Sequence, residues 1–90
     1  GSQYARIHGR YEEYEGLLVR LMETSRRIHG DRHPQTGYLR YWLKRRIEAL
    51  GALAGQQQAR GESEEAAATL RRLERVRQAF DDSLKFREQE

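Results

Sequence analysis

Ninety residues with 17 basic and 14 acidic side chains, net charge +3, make one small domain and exclude a second core. Leu, Ile, Val and Phe total 17, a fraction typical of disordered chains only when net charge is high, and here the charges nearly cancel. Five Tyr, one Trp and one Met bring the potential core-formers to 24. The chain has no Cys, which excludes disulfides, thiolate nucleophiles and cysteine-ligated zinc and points to a reducing, intracellular setting, cytoplasmic or nuclear. No apolar run approaches the roughly 20 residues of a membrane helix, and no signal-peptide pattern is present. Gly1-Ser2 has the form of a protease-cleavage scar, so residues 3–90 read as a single domain cut from a longer protein.

The first element runs from about residue 3 to 29. Tyr4, Ile7, Tyr11, Tyr14, Leu18, Leu21 and Ile28 recur at alternating steps of three and four, interrupted only at Ser25. That spacing predicts an amphipathic helix with a coiled-coil-like seam. The register passes through Gly9 without a slip. Gly9 and Gly16 each weaken the helix by roughly 1 kcal/mol unless a close neighbour needs them. Gly30 stands where a left-handed C-cap belongs, and Arg26, Arg27 and His29 suit the negative end of the helix dipole.

The second helix is expected over 35–59. Pro34 fits its first turn, where the missing N–H costs nothing. Its stripe is Leu39, Leu43, Ile47, Leu50 and Ala54, with Trp42 and Leu53 beside it. The third is expected over 62–87, with Ser63 as cap, Glu64 and Glu65 at the positive end, and a stripe of Ala66, Leu70, Leu73, Phe80 and Leu84 flanked by Val76. Arg77 falls inside that stripe and has to pair or snorkel, whereas Phe86 falls opposite it. Three helices of similar length with short loops predict an all-α, antiparallel three-helix bundle, a rod about 38–40 Å long.

Gly9, Tyr11, Glu13, Leu17, Arg20, Glu23, Gly30, His33, Pro34, Thr36 and Leu39 fall without a gap on a known pattern. It resembles a tetratricopeptide repeat of the kinesin-light-chain type, a G-x-Y-x-E turn and helix followed by G-x-x-H-P-x-T before the next helix. Gly61-Glu62-Ser63-Glu64-Glu65-Ala66, followed by Leu70-Arg71-Arg72-Leu73-Glu74, is a second, looser echo. Tyr11 to Ile28 also resembles the first helix of the occludin/ELL-type helical domain, with paired tyrosines, a following leucine and a late arginine pair. Both resemblances imply a helical interaction module rather than an enzyme.

The chemistry-bearing residues agree. His29, Asp31 and His33 have the types and spacing of zinc ligands, but each also has an ordinary role at a helix end, in a turn or before a proline, so no metal or cofactor is expected. Glu12, Glu13 and Glu15 diverge around a helix and read as a solvated face, not an acid/base pair. No zincin motif, phosphate loop or nucleophile elbow is present. No catalytic residue is therefore expected.

Charge is uneven, net +5 over residues 1–60 and net −2 over 61–90. A basic half attracts phosphate or acidic partners. Arg40 and Lys44 lie on one flank of the second helix and Arg45 on the other, so no single basic stripe forms of the kind that tracks nucleic acid. Tyr38, Tyr41, Trp42 and Arg45 together exceed what one helix can bury against two neighbours, and these types dominate interface hot spots. The expected function is a non-catalytic adaptor or scaffold domain that binds a protein or peptide helix. Its contact residues are Tyr38, Tyr41, Trp42 and Arg45, with Arg40 and Lys44 in support. A small basic nucleic-acid-binding bundle and a self-associating homodimer are the alternatives.

Overall fold

The computed structural model describes the backbone of residues 2–85 and the side chains of residues 10–85. It contains three helices, α1 (Ser2–His29), α2 (Pro34–Ala59) and α3 (Ser63–Leu84), and no strand among the described residues. The chain is an all-α three-helix bundle, a flattened rod of 45 × 24 × 15 Å. Ser25 meets Thr36 and Glu15 meets Arg46, so α1 and α2 run antiparallel. Gln57 meets Thr69 and Arg40 meets Ser83, which makes α3 antiparallel to α2 as well. The α2–α3 hairpin has the most extensive contact, and α1 lies against it, more on α2 than on α3.

The turns follow from local chemistry. Gly30 adopts φ +90° and its N–H reaches the Arg26 carbonyl at 3.0 Å, the left-handed cap expected after α1. His33 is the N-cap of α2, its Nδ1 accepting from the Gln35 N–H at 3.1 Å, and Pro34 occupies the first turn. Gly61 takes φ +77° in the second turn. There the N-cap is Glu62, without a side-chain cap bond, and Ser63 is already helical, one position later than expected. Helix α3 is described to Leu84, and the expected end at residue 87 lies outside the described residues. Phe86 lies outside the described residues, as do the side chains of Tyr4 and Ile7.

Helix α2 buries the stripe read from its sequence: Leu39, Leu43, Leu50 and Ala54, with Ile47 half-buried. Helix α1 is rotated from expectation, whereas α3 keeps most of its expected stripe, with Ala66 and Val76 buried and Leu73 and Phe80 packed against the core. Among the described side chains of α1 the buried ones are Glu15, Gly16, Leu18, Met22 and Ser25, whereas Tyr11, Tyr14, Leu21 and Ile28 of the expected seam are exposed. On α3, Ala66, Thr69, Arg72, Val76 and Ser83 face inward. Leu70 is exposed, and Arg77 sits at the surface within 4.0 Å of Glu74.

Side-chain hydrogen bonding explains the rotation. Among the described residues eight apolar and seven polar ones are buried, and the polar ones are satisfied by hydrogen bonds within the bundle. Thr36 gives its only hydroxyl proton to the Gly30 carbonyl (2.8 Å), so Ser25 is the donor in their 2.8 Å contact. Thr69 donates to Gln57 Oε1 at 2.6 Å. Glu15 accepts from Arg46 at 2.8 Å and from Arg72 at 2.7 and 3.1 Å. Gly16 is the close approach beside this cluster, since a Cβ there would meet Arg75 Nη2 at 3.0 Å.

Two glycines inside α2 have no such role. A Cβ at Gly37 or Gly55 meets nothing within 4 Å. Gly37→Ala and Gly55→Ala should each raise stability by about 0.5–1 kcal/mol, read as a higher urea midpoint with unchanged slope. Gly30→Ala should lower it by about 1–2 kcal/mol, because its positive φ crowds any Cβ.

Candidate interaction surface

Helix α2 rises straight out of the first turn, and its pitch carries Tyr38, Tyr41, Trp42 and Arg45 onto the side away from α3. All four are exposed, Tyr38 at 62%. Tyr38 and Tyr41 both meet Trp42 edge-on, with ring centroids 5.9 and 5.6 Å apart at 79° and 74°. That is the favoured aromatic geometry, so the cluster holds its shape without cover. Arg45 is held loosely by Glu48 at 3.7 Å.

Arg40 and Lys44 are not part of this cluster. Lys44 is exposed and, at the helical pitch, lies on the flank of α2 nearer α3. Arg40 is tied down on that same flank, donating to the Ser83 carbonyl (3.0 and 3.3 Å), to Ser83 Oγ (3.1 Å) and to the Asp31 carbonyl (2.9 Å). Arg26 holds the Asp31 carboxylate at 2.6 Å. Arg40 is thus a structural tie joining the first turn to the end of α3.

The rotation of α1 adds a second half to the surface. Gly16 of α1 faces Arg75 of α3, while Tyr11 and Ser25 face α2, with Arg46 5.1 Å from the Tyr11 ring centroid. At 100° per residue, Tyr14, Leu21 and Ile28 fall on the α2 side of α1, beyond the buried face, and Leu17 falls next to them on the outward face. By the same rule Trp42 and Tyr38 fall on the α1 side of α2, beyond Arg46. The two sets line opposite walls of the α1–α2 groove. Leu17 is 49% exposed and Ile28 67%.

A second concavity of about 260 Å3 opens between α1 and α3, lined by Glu12, Glu15, Ala68, Arg71, Arg72 and Arg75. Burial pushes the Glu15 carboxyl up, but hydrogen bonds and charge from Arg72 and Arg46 outweigh it and hold the group below the usual glutamate range. Arginine and carboxylate compensate each other here, so the cleft works as a clamp between helices.

No protein-family model, curated protein or solved structure matches this chain. Function has to be argued from the surface itself. Around the first turn, His29 and His33 stack with ring centroids 4.4 Å apart, and Asp31 is engaged by Arg26. No group of three His, Asp or Glu among the described residues could hold a metal ion. No helix among them is long and apolar enough to cross a membrane.

Sequence reasoning missed the α1 wall of the groove. A signal for it was present: at 100° per residue Tyr11, Tyr14, Leu17, Leu18, Leu21, Met22 and Ile28 spread over about 140° of the helix, wider than the roughly 100° stripe that faces a core.

Proposed function

We infer that this chain is a non-catalytic protein-interaction domain whose contact surface is the groove between α1 and α2. The observation that carries the reading is the exposure of Tyr14, Leu21 and Ile28 on the α2 side of α1 together with Tyr38 and Trp42 on the α1 side of α2. Apolar patches of this extent on small domains mark contact sites, and tyrosine and tryptophan are the side chains on which interface energies concentrate. The resemblance of residues 9–39 to a tetratricopeptide repeat supports the same class. A helix lying in a groove between two helices is the binding mode that fits.

Affinity capture with the wild-type domain, compared with Leu21→Glu, Trp42→Ala and the pair Tyr41→Ala/Arg45→Glu, tests this reading. The expected result is a set of bound proteins retained by the wild type and reduced tenfold or more by each groove variant, with helical circular dichroism unchanged. The same proteins captured equally by all four would remove the groove from the function.

Self-association is a second reading, favoured by the heptad spacing of Tyr14, Leu21 and Ile28 on an uncovered face. Sedimentation at several concentrations decides it. A nucleic-acid reading has less support, because Arg26, Arg40 and Arg46 are engaged by internal carboxylates. Binding that collapses steeply with salt would revive it.

A further inference from the structure

We propose that the concavity between α1 and α3 is a binding site for a phosphate group, held by the guanidinium groups of Arg71 and Arg75. It lies on a different face from the α1–α2 groove and does not rest on the interaction-domain reading.

The clamp at the floor of this concavity uses only part of its lining. Glu15 Oε1 accepts from Arg46 and Arg72, and its Oε2 accepts from Arg72 again, so both carboxylate oxygens are engaged. Arg71 and Arg75 line the same space, and neither forms a hydrogen bond or ion pair with any described residue. Glu12, the other carboxylate of the lining, pairs with neither of them. With Arg46 counted through its bond to Glu15, four guanidinium groups (Arg46, Arg71, Arg72 and Arg75) meet two carboxylates, Glu12 and Glu15. The local charge is +2, and its unpaired part sits on Arg71 and Arg75.

Arg75 is seated, not loose. Its Nη2, Cζ and Nη1 lie 3.0, 3.7 and 3.8 Å from the place a Cβ on Gly16 would occupy. The whole guanidinium therefore reaches across from α3 and rests on the α1 backbone where a glycine leaves room. Arg71 precedes it by one turn, and side chains at i and i+4 share a face with Cβ atoms about 5–6 Å apart. Two like charges at that spacing repel each other, whereas an anion between them receives two charge-assisted forks.

The charge selects the anion. A phosphate group carries about −1.5 to −2 at neutral pH and offers three acceptor oxygens, enough for both forks. A carboxylate has one charge and two oxygens, which a single fork already satisfies. The concavity of about 260 Å3 leaves room for the group and several waters. Because Gly16 seats Arg75, the site is complete only while α1 is docked on α3, the helix pair with the least contact. A bound phosphate group thus favours the docked state by mass action.

The test is a titration of the isotope-labelled domain with sodium phosphate, against sodium chloride at equal ionic strength, read by the amide resonances of α1 and α3 and by the urea midpoint. Phosphate should shift the resonances around Gly16, Arg71 and Arg75 saturably and raise the midpoint, and chloride should not. Arg71→Gln/Arg75→Gln changes only exposed side chains and should weaken phosphate binding about tenfold or more, with helical circular dichroism unchanged. Glu12→Gln removes a repelling carboxylate and should tighten it. Shifts that follow ionic strength alone, or a phosphate effect that survives in Arg71→Gln/Arg75→Gln, would overturn the proposal. So would a Glu12→Gln variant that loses stability without gaining phosphate affinity, which makes Glu12 the partner of these arginines. Vesicles with and without phosphatidic acid separate the sources of the group. Co-sedimentation that requires phosphatidic acid and is lost in Arg71→Gln/Arg75→Gln assigns the site to a lipid headgroup, and saturable phosphate binding without co-sedimentation assigns it to a soluble phosphate.

Discussion

Replacing Glu15 with glutamine should destabilise the domain by about 3–5 kcal/mol, a large share of the roughly 5–15 kcal/mol that holds a domain together. The carboxylate is 2% exposed and is shared by Arg46 and Arg72, each drawn from a different helix. Its loss would remove the carboxylate that neutralises two guanidinium groups, and Arg46 already has a buried Nε without a hydrogen-bond partner. Urea unfolding of Glu15→Gln measures the cost. The triple variant Glu15→Leu/Arg46→Met/Arg72→Met should recover much of it, because apolar replacements remove the desolvation penalty as well as the attraction.

The same group sets a pH dependence. Its folded pKa lies below the unfolded one, so its contribution is complete above the unfolded value, near 4.3 for an ordinary glutamate. The contribution is lost as pH falls through the lower folded value. Wild-type stability should therefore drop on acidification below about pH 4, with a shallower drop in Glu15→Gln. Equal slopes would show that Glu15 is not the group that titrates.

Met22→Ala should cost about 2–5 kcal/mol, whereas Leu21→Ala should fall within about 0.5 kcal/mol of wild type. The heptad seam of α1 predicts the reverse order, since Leu21 lies on that seam and Met22 beside it. In the bundle Met22 is 1% exposed within the cluster of Leu18, Leu39, Leu43, Leu50 and Val76, and Leu21 faces solvent. The two denaturation midpoints thus fix the rotation of α1 about its own axis.

That rotation marks how far the sequence could be read. Glycine and proline chemistry placed the turns, and the α2 stripe was legible because its apolar residues form one face only. On α1 two apolar stripes overlap, and periodicity has no means of choosing between them. The choice is made by Glu15 and Ser25, whose partners Thr36, Arg46 and Arg72 lie 11, 31 and 57 residues away. Hydrophobic pattern counts such residues as surface, so Glu15 reads as one of several solvated carboxylates until its arginines are located. Arg72 is hidden in the same way within a run of charge on α3. The aromatic half of the groove was legible as an excess that α2 could not bury. The α1 half was not, because Tyr14, Leu21 and Ile28 lie on the seam that the spacing assigns to the core.

The uneven packing of the bundle bears on how it opens. Helices α2 and α3 share most of the contact, and α1 is joined to them by a narrower band of apolar side chains and the Glu15 clamp. Amide protons of α1 should then exchange through partial detachment, while those of α2 and α3 wait for global unfolding. A ligand seated on both walls of the groove would bridge α1 to α2 and slow that exchange in α1 first. Occupancy would convert a molecule that opens in two parts into one cooperative unit, so that binding at the surface is felt as stiffness along the whole of α1.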